Sequence, residues 1–178
     1  MTAIEIEQRT TATEIEQPAT RWIVDGDGTS VAFAVKTFWG AMTVRGRFDR
    51  FDGSYEIGPD GAKINLTIDA DSLDTGHATR DRHLRSTDFF GIAEHPQVQF
   101  TSTRVHDVGN GILHVVGDLE AAGTVVQLEF PAFVETVDDG LQVEATTTID
   151  QARLGMSSGQ LGMIRRPATL HVKAHLSR

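Results

Sequence analysis

The chain has 178 residues, enough for one domain with a sizeable core, and 16 lysines and arginines stand against 25 aspartates and glutamates, a net charge of −9. That balance argues against nucleic acid or an anionic membrane surface as a partner, because both demand a basic face. There is no cysteine, which excludes a disulfide framework, a thiolate nucleophile and a cysteine-based metal site.

The chain opens on a polar stretch in which TAIEIEQ at 2–8 is nearly repeated as TATEIEQ at 11–17. It has neither an early cationic residue nor an apolar run, so it does not read as a signal peptide. The expectation is a solvated tail over 1–20 and one folded domain over 21–178. No later run approaches the ~18 apolar residues of a membrane span, and a cytoplasmic location is expected.

From Arg21 onward the pattern has period two. Val31, Phe33 and Val35 share one strand face, as do Val44, Gly46 and Phe48, and then Ile64, Leu66 and Ile68. Asp25-Gly26-Asp27-Gly28 reads as a turn, because Thr29 and Lys36 stand where a calcium loop needs ligands. Gly58-Pro59-Asp60-Gly61 is another turn. Alternation stops between Asp69 and Phe90. From Arg80 to Asp88 there are three arginines, a histidine and two aspartates, and Leu84 is the one large apolar residue. A short helical excursion around 77–90 is expected, with Asp81 and Arg85 spaced for an ion pair.

Strands resume at Val98 and Phe100. Asn110-Gly111 makes a hairpin into Leu113, Val115, Gly117 and Leu119. Val126, Leu128 and Phe130 follow, then Leu141, Val143 and Ala145, and last Leu170, Val172, Ala174 and Leu176. About eight strands, each apolar on one face, indicate an all-β antiparallel fold. A sandwich and a closed barrel both fit. Small inward residues such as Gly46, Gly117, Ala145 and Ala174 beside large phenylalanines fit a packed core, which periodicity favours, or a cavity.

No catalytic constellation is visible. His171 and His175 lie more than ~10 Å apart along a strand and cannot share a metal. The parities of His106 and His114 put them on opposite faces of their hairpin. Ser157-Ser158-Gly159 lacks a nucleophile elbow, and Arg165-Arg166 reads as solvated loop. No metal site or cofactor is expected.

Ser30-Val31-Ala32-Phe33-Ala34-Val35-Lys36 and Val44-Arg45-Gly46-Arg47-Phe48 begin a series of spaced motifs. Asp74-Thr75-Gly76, Arg80-Asp81-Arg82-His83-Leu84-Arg85-Ser86, Asp88-Phe89-Phe90 and His95-Pro96 continue it, and Gly117-Asp118-Leu119 and Leu154-Gly155-Met156 complete it. In this order, from about Arg21 to Leu176, the chain resembles the YceI-like family. The resemblance implies an antiparallel, eight-stranded, lipocalin-like β-barrel that binds a polyisoprenoid or another long-chain lipid. Thr37 and Ala121-Ala122 replace polar residues common in the family, which removes groups that could meet a ligand head.

The resemblance thus implies non-catalytic storage, transfer or sensing of a lipid such as a polyisoprenoid or isoprenoid quinone. Burial contributes about 0.8 kcal/mol per CH₂, against about 0–1 kcal/mol for an exposed ion pair, so the wall would supply the affinity. Phe33, Val35, Phe48, Leu66, Ile68, Phe100, Leu119, Leu128 and Phe130 are expected to line it, with Phe38, Phe89 and Phe90 at the mouth. Arg80, His83 and Arg85 are candidates for a polar head, or else pin the helix. The alternatives are a filled barrel acting through its surface in stress response or assembly, and an isomerase or hydrolase of a small apolar substrate. A homodimer is compatible with the pattern.

Overall fold

The computed structural model describes residues 19–37, 42–138, 140–156 and 167–178. The N-terminal repeat, Phe38, Ser157-Ser158 and Arg165-Arg166 lie outside the described residues. Among the described residues ten strands follow one another: β1 (Thr20–Thr37), β2 (Met42–Phe48), β3 (Phe51–Gly58), β4 (Gly61–Asp69), β5 (Leu73–Asp74), β6 (Gln97–Gly109), β7 (Ile112–Ala121), β8 (Thr124–Val137), β9 (Gly140–Ile149) and β10 (Ala168–Ser177). Within the same residues one α-helix, α1 (Ala78–Arg85), lies between β5 and β6. All pairings are antiparallel. Of the ten strands, eight (β1, β3, β4 and β6 to β10) form a ring that β10 closes onto β1. The fold is therefore a closed eight-stranded barrel, and the sandwich alternative falls.

Closure depends on how β1 is used. Its first residues, Thr20 to Ile23, pair with β3, and Val31 to Thr37 pair with β2. The hand-over happens at Asp25 to Ser30, where the register against β10 also shifts. Asp27 donates its backbone N–H to Asp25 Oδ1, and Thr29 Oγ1 bonds Asp25 O while accepting His175 N at 2.9 Å. Gly28 supplies the positive φ of 81°. The aspartate–glycine run is thus a bulge inside a continuous strand, not a turn between two strands.

β3 is the strand that periodicity overlooked. Phe51 and Tyr55 lie two pleats apart on the inner face, but glycine at 53 interrupts the signal. The hairpins otherwise follow turn chemistry. Asn110 and Gly111 take φ of 57° and 71°, and Ala122 and Gly123 take 50° and 71°, the mirror-image geometry that two-residue loops favour. The His95 ring lies across Gly123, so close that a Cβ there would come within 2.6 Å of it. In the β6–β7 hairpin, one extra residue, Val108, shifts the register between Asp107 and Gly109. His106 and His114 consequently sit opposite each other on the outer wall, correcting the parity argument.

The helix is strapped down by polar groups. His77 caps it, accepting Arg80 N. Asp81 is buried and accepts Thr75 N at 3.0 Å and the Thr75 hydroxyl. Arg85 donates to Asp71 O at 2.9 Å and Leu73 O at 2.6 Å, and pairs with Asp71 at 2.9 Å. The expected Asp81–Arg85 pair gives way because α1 lies over the 70–75 segment, whose carbonyls and hydroxyl reach both side chains from below. Among the described residues, no helix is long and apolar enough to cross a membrane.

Candidate ligand-binding cavity

The barrel is hollow. A cavity of about 1270 Å³ runs inside it, walled by inward residues from strands all round the ring. The small inward residues explain why it stays open. Gly46 faces Phe33 across the β1–β2 pair, and a Cβ at Gly46 would lie 2.4 Å from the Phe33 ring. Gly117 likewise accommodates the Phe100 ring, which a Cβ there would meet at 2.5 Å. Each ring lies along the wall, over a glycine of the neighbouring strand. The aromatic side chains pave the lumen instead of plugging it. Phe33 contacts Phe48 (5.7 Å between centroids), Phe48 meets Phe90 edge-on at 5.8 Å, and Phe100 packs on Phe130 at 5.5 Å.

The structure brings nearly the whole expected set together. Phe33, Val35, Phe48, Leu66, Ile68, Phe100, Leu119, Leu128 and Phe130 line the cavity, and Phe89 and Phe90 line it from the segment after α1. Arg80 and His83 reach it from the helix. Arg85 does not line it, since its guanidinium is held by the Asp71 and Leu73 carbonyls.

The polar lining is concentrated where α1 crosses the barrel end. His77, Thr79, Arg80, His83 and Asp88 stand there, and Gln151 approaches from the turn after β9. Arg80 is oriented by Thr75, donating Nε to its hydroxyl and Nη2 to its carbonyl, both at 2.8 Å. His83 packs edge-on against Phe89 at 4.9 Å. His77 Nδ1 accepts the Arg80 backbone N–H at 3.4 Å, so in the neutral ring Nε2 carries the hydrogen. This rim can offer donors to a ligand head. Below it the wall is almost wholly apolar.

Residues that the alternation did not single out complete the lumen. Val24 and Tyr55 line its far end, Leu154 and Met156 its helix end. Tyr55 belongs to the overlooked strand β3, and burial, with the Asp107 charge second, pushes its hydroxyl above the usual tyrosine range. Among the described residues no cluster of three histidine or carboxylate side chains could hold a metal. Among the described residues, the His77 and His83 rings bond no side-chain hydroxyl or carboxylate.

A family model described as the YceI-like domain matches residues 22–176. The chain belongs to the YceI-like family. Among its relatives is a UPF0312 protein of Vibrio campbellii, 30% identical over 163 residues that cover 89% of this chain and 86% of that one. Solved structures share the fold at low identity. BcnA of Burkholderia cenocepacia superposes with a TM-score of 0.78 at 17% identity, covering 87% of this chain and 99% of that one. A polyisoprenoid binding domain from Saccharophagus degradans gives 0.71 at 16% identity, covering 90% and 99%.

Proposed function

We propose that this YceI-like chain is a non-catalytic carrier that holds one long-chain apolar lipid, a polyisoprenoid or isoprenoid quinone, with its tail in the barrel and its head at the α1 rim. One observation carries the reading: a largely apolar lumen whose charged side chains and histidines stand at the α1 end. That polarity matches an amphiphile with one small head and one long tail.

The magnitudes agree with a tail-dominated ligand. Taking ~30 Å³ per non-hydrogen atom with its hydrogens, the share a water takes in the liquid, about 1270 Å³ has room for roughly forty such atoms. At about 0.8 kcal/mol per buried CH₂, even a few isoprene units exceed what a partly exposed arginine contributes to a head. The polyisoprenoid binding domain from Saccharophagus degradans, with the same fold, supports the ligand class.

The test is direct. Native mass spectrometry of the purified protein is expected to show an added mass, and organic extraction is expected to release an isoprenoid. Protein that carries nothing and takes up no prenol or quinone from detergent would overturn the reading. Turnover of the extracted lipid on mixing would overturn its non-catalytic part.

A further inference from the structure

At the end opposite α1 the cavity lining reaches Tyr55, whose ring stacks on that of Trp22. Trp22 and Tyr55 are register partners of β1 and β3. Their rings stack at 5.5 Å with 24° between planes. Tyr55 is 7% exposed and lines the cavity, whereas Trp22 does not line it. As its register partner, Trp22 stands beside Tyr55 on the inner face, packed against the core just past the cavity lining, and the Arg178 guanidinium lies over the Trp22 ring, 5.5 Å from its centroid. Leu141, the β10-facing residue at this end, also falls outside the cavity lining.

We propose that the Trp22–Tyr55 stack is a length stop that sets the longest tail the protein accepts. The inference rests on the lipid-carrier reading. A tail entering at the α1 rim gains burial with each added unit until its end meets Tyr55. Beyond that length, extra units stay in water at the rim and lift the head off its donors. Affinity then rises with tail length to a breakpoint and stops rising.

The probes are farnesol, geranylgeraniol, solanesol and longer prenols, presented singly in detergent to the full chain and scored as occupancy by native mass spectrometry. Tyr55→Ala deepens the tube and is expected to move the breakpoint to a longer prenol, raising occupancy by that prenol several-fold over wild type. Ala132→Phe fills the lumen near the floor, where Ala132 lines the wall beside Leu113, and is expected to move the breakpoint to a shorter prenol. Tyr55→Leu covers the case that Tyr55→Ala does not fold. An identical breakpoint in wild type and variants that bind prenols overturns the length stop and leaves the carrier reading standing. Wild-type protein that takes up no prenol of any length overturns both.

Discussion

At Gly46 and Gly117 the inner wall lacks side chains and the rings of Phe33 and Phe100 occupy the space, but the two sites differ in what could yield. The three atoms nearest a Cβ at Gly46 belong to the Phe33 and Thr75 side chains, while a Cβ at Gly117 also lies 2.6 Å from the Thr101 carbonyl oxygen. Backbone cannot swing aside. Gly117→Ala is expected to cost about 1–3 kcal/mol and Gly46→Ala less, read from urea midpoints. Gly46→Ala is still expected to weaken lipid uptake, because the displaced Phe33 ring turns into the lumen. Phe33→Asp is expected to abolish uptake, since the tail would have to cover a carboxylate. Tyr55 adds a pH dependence. Its folded pKa lies above the ordinary value of 10.0, so its contribution to stability is complete below that pH and lost as pH rises through the folded value. Wild-type midpoints are expected to fall more steeply than those of Tyr55→Phe once pH passes about 10.

At the scale of elements, α1 is held by the segment beneath it and not by its own composition. With Leu84 as its large apolar residue it buries little, so bonds to Thr75, Asp71 and Leu73 must orient it. Arg85→Ala is expected to lower the protection of the α1 amides by about 1 kcal/mol in hydrogen exchange, by freeing the Asp71 and Leu73 carbonyls. Lipid affinity is expected to fall only several-fold, because Arg85 lies outside the cavity wall. A loss as large as that from Phe33→Asp would contradict a tail-dominated site. The turn at Ala70–Ser72 that leads into α1 is capped by Asp69, which accepts Asp71 N at 2.9 Å. The hydrogen bond from Arg50 holds the Asp69 carboxyl below the ordinary value of 3.8. This contribution is present above that value and lost as pH falls through the depressed one. In Arg50→Ala the acid limb of the denaturation profile is expected to move to higher pH.

At the scale of the whole molecule, a hollow barrel gives up the packing that a filled core would supply, and a tail held as proposed would restore it. Ligand at a hundred times its Kd contributes about 2.7 kcal/mol through linkage. For a domain of this size that is roughly 5–10 °C in Tm. Protein stripped by organic extraction and refolded is expected to melt lower by about that much, and to recover when a prenol is returned. A barrel acting only through its outer surface would show no such shift.

Much of this was available in the alternation of residues. Period two along Val31–Val35, Ile64–Ile68, Leu113–Leu119 and Leu170–Leu176 requires strands with one apolar face, because successive side chains must point to opposite sides of a pleated backbone. Asn110-Gly111 likewise specifies its hairpin through the positive φ that both residues tolerate. Parity broke down at Val108 and at Asp25–Ser30, since a bulge moves every later side chain to the other face without leaving a compositional mark. Whether the inward set packs solid or encloses a lumen was decided only in three dimensions. The answer lies in which ring covers which glycine across a strand pair. That relation joins residues far apart in the chain, Phe33 with Gly46 and Phe100 with Gly117, and exists only once the register is set.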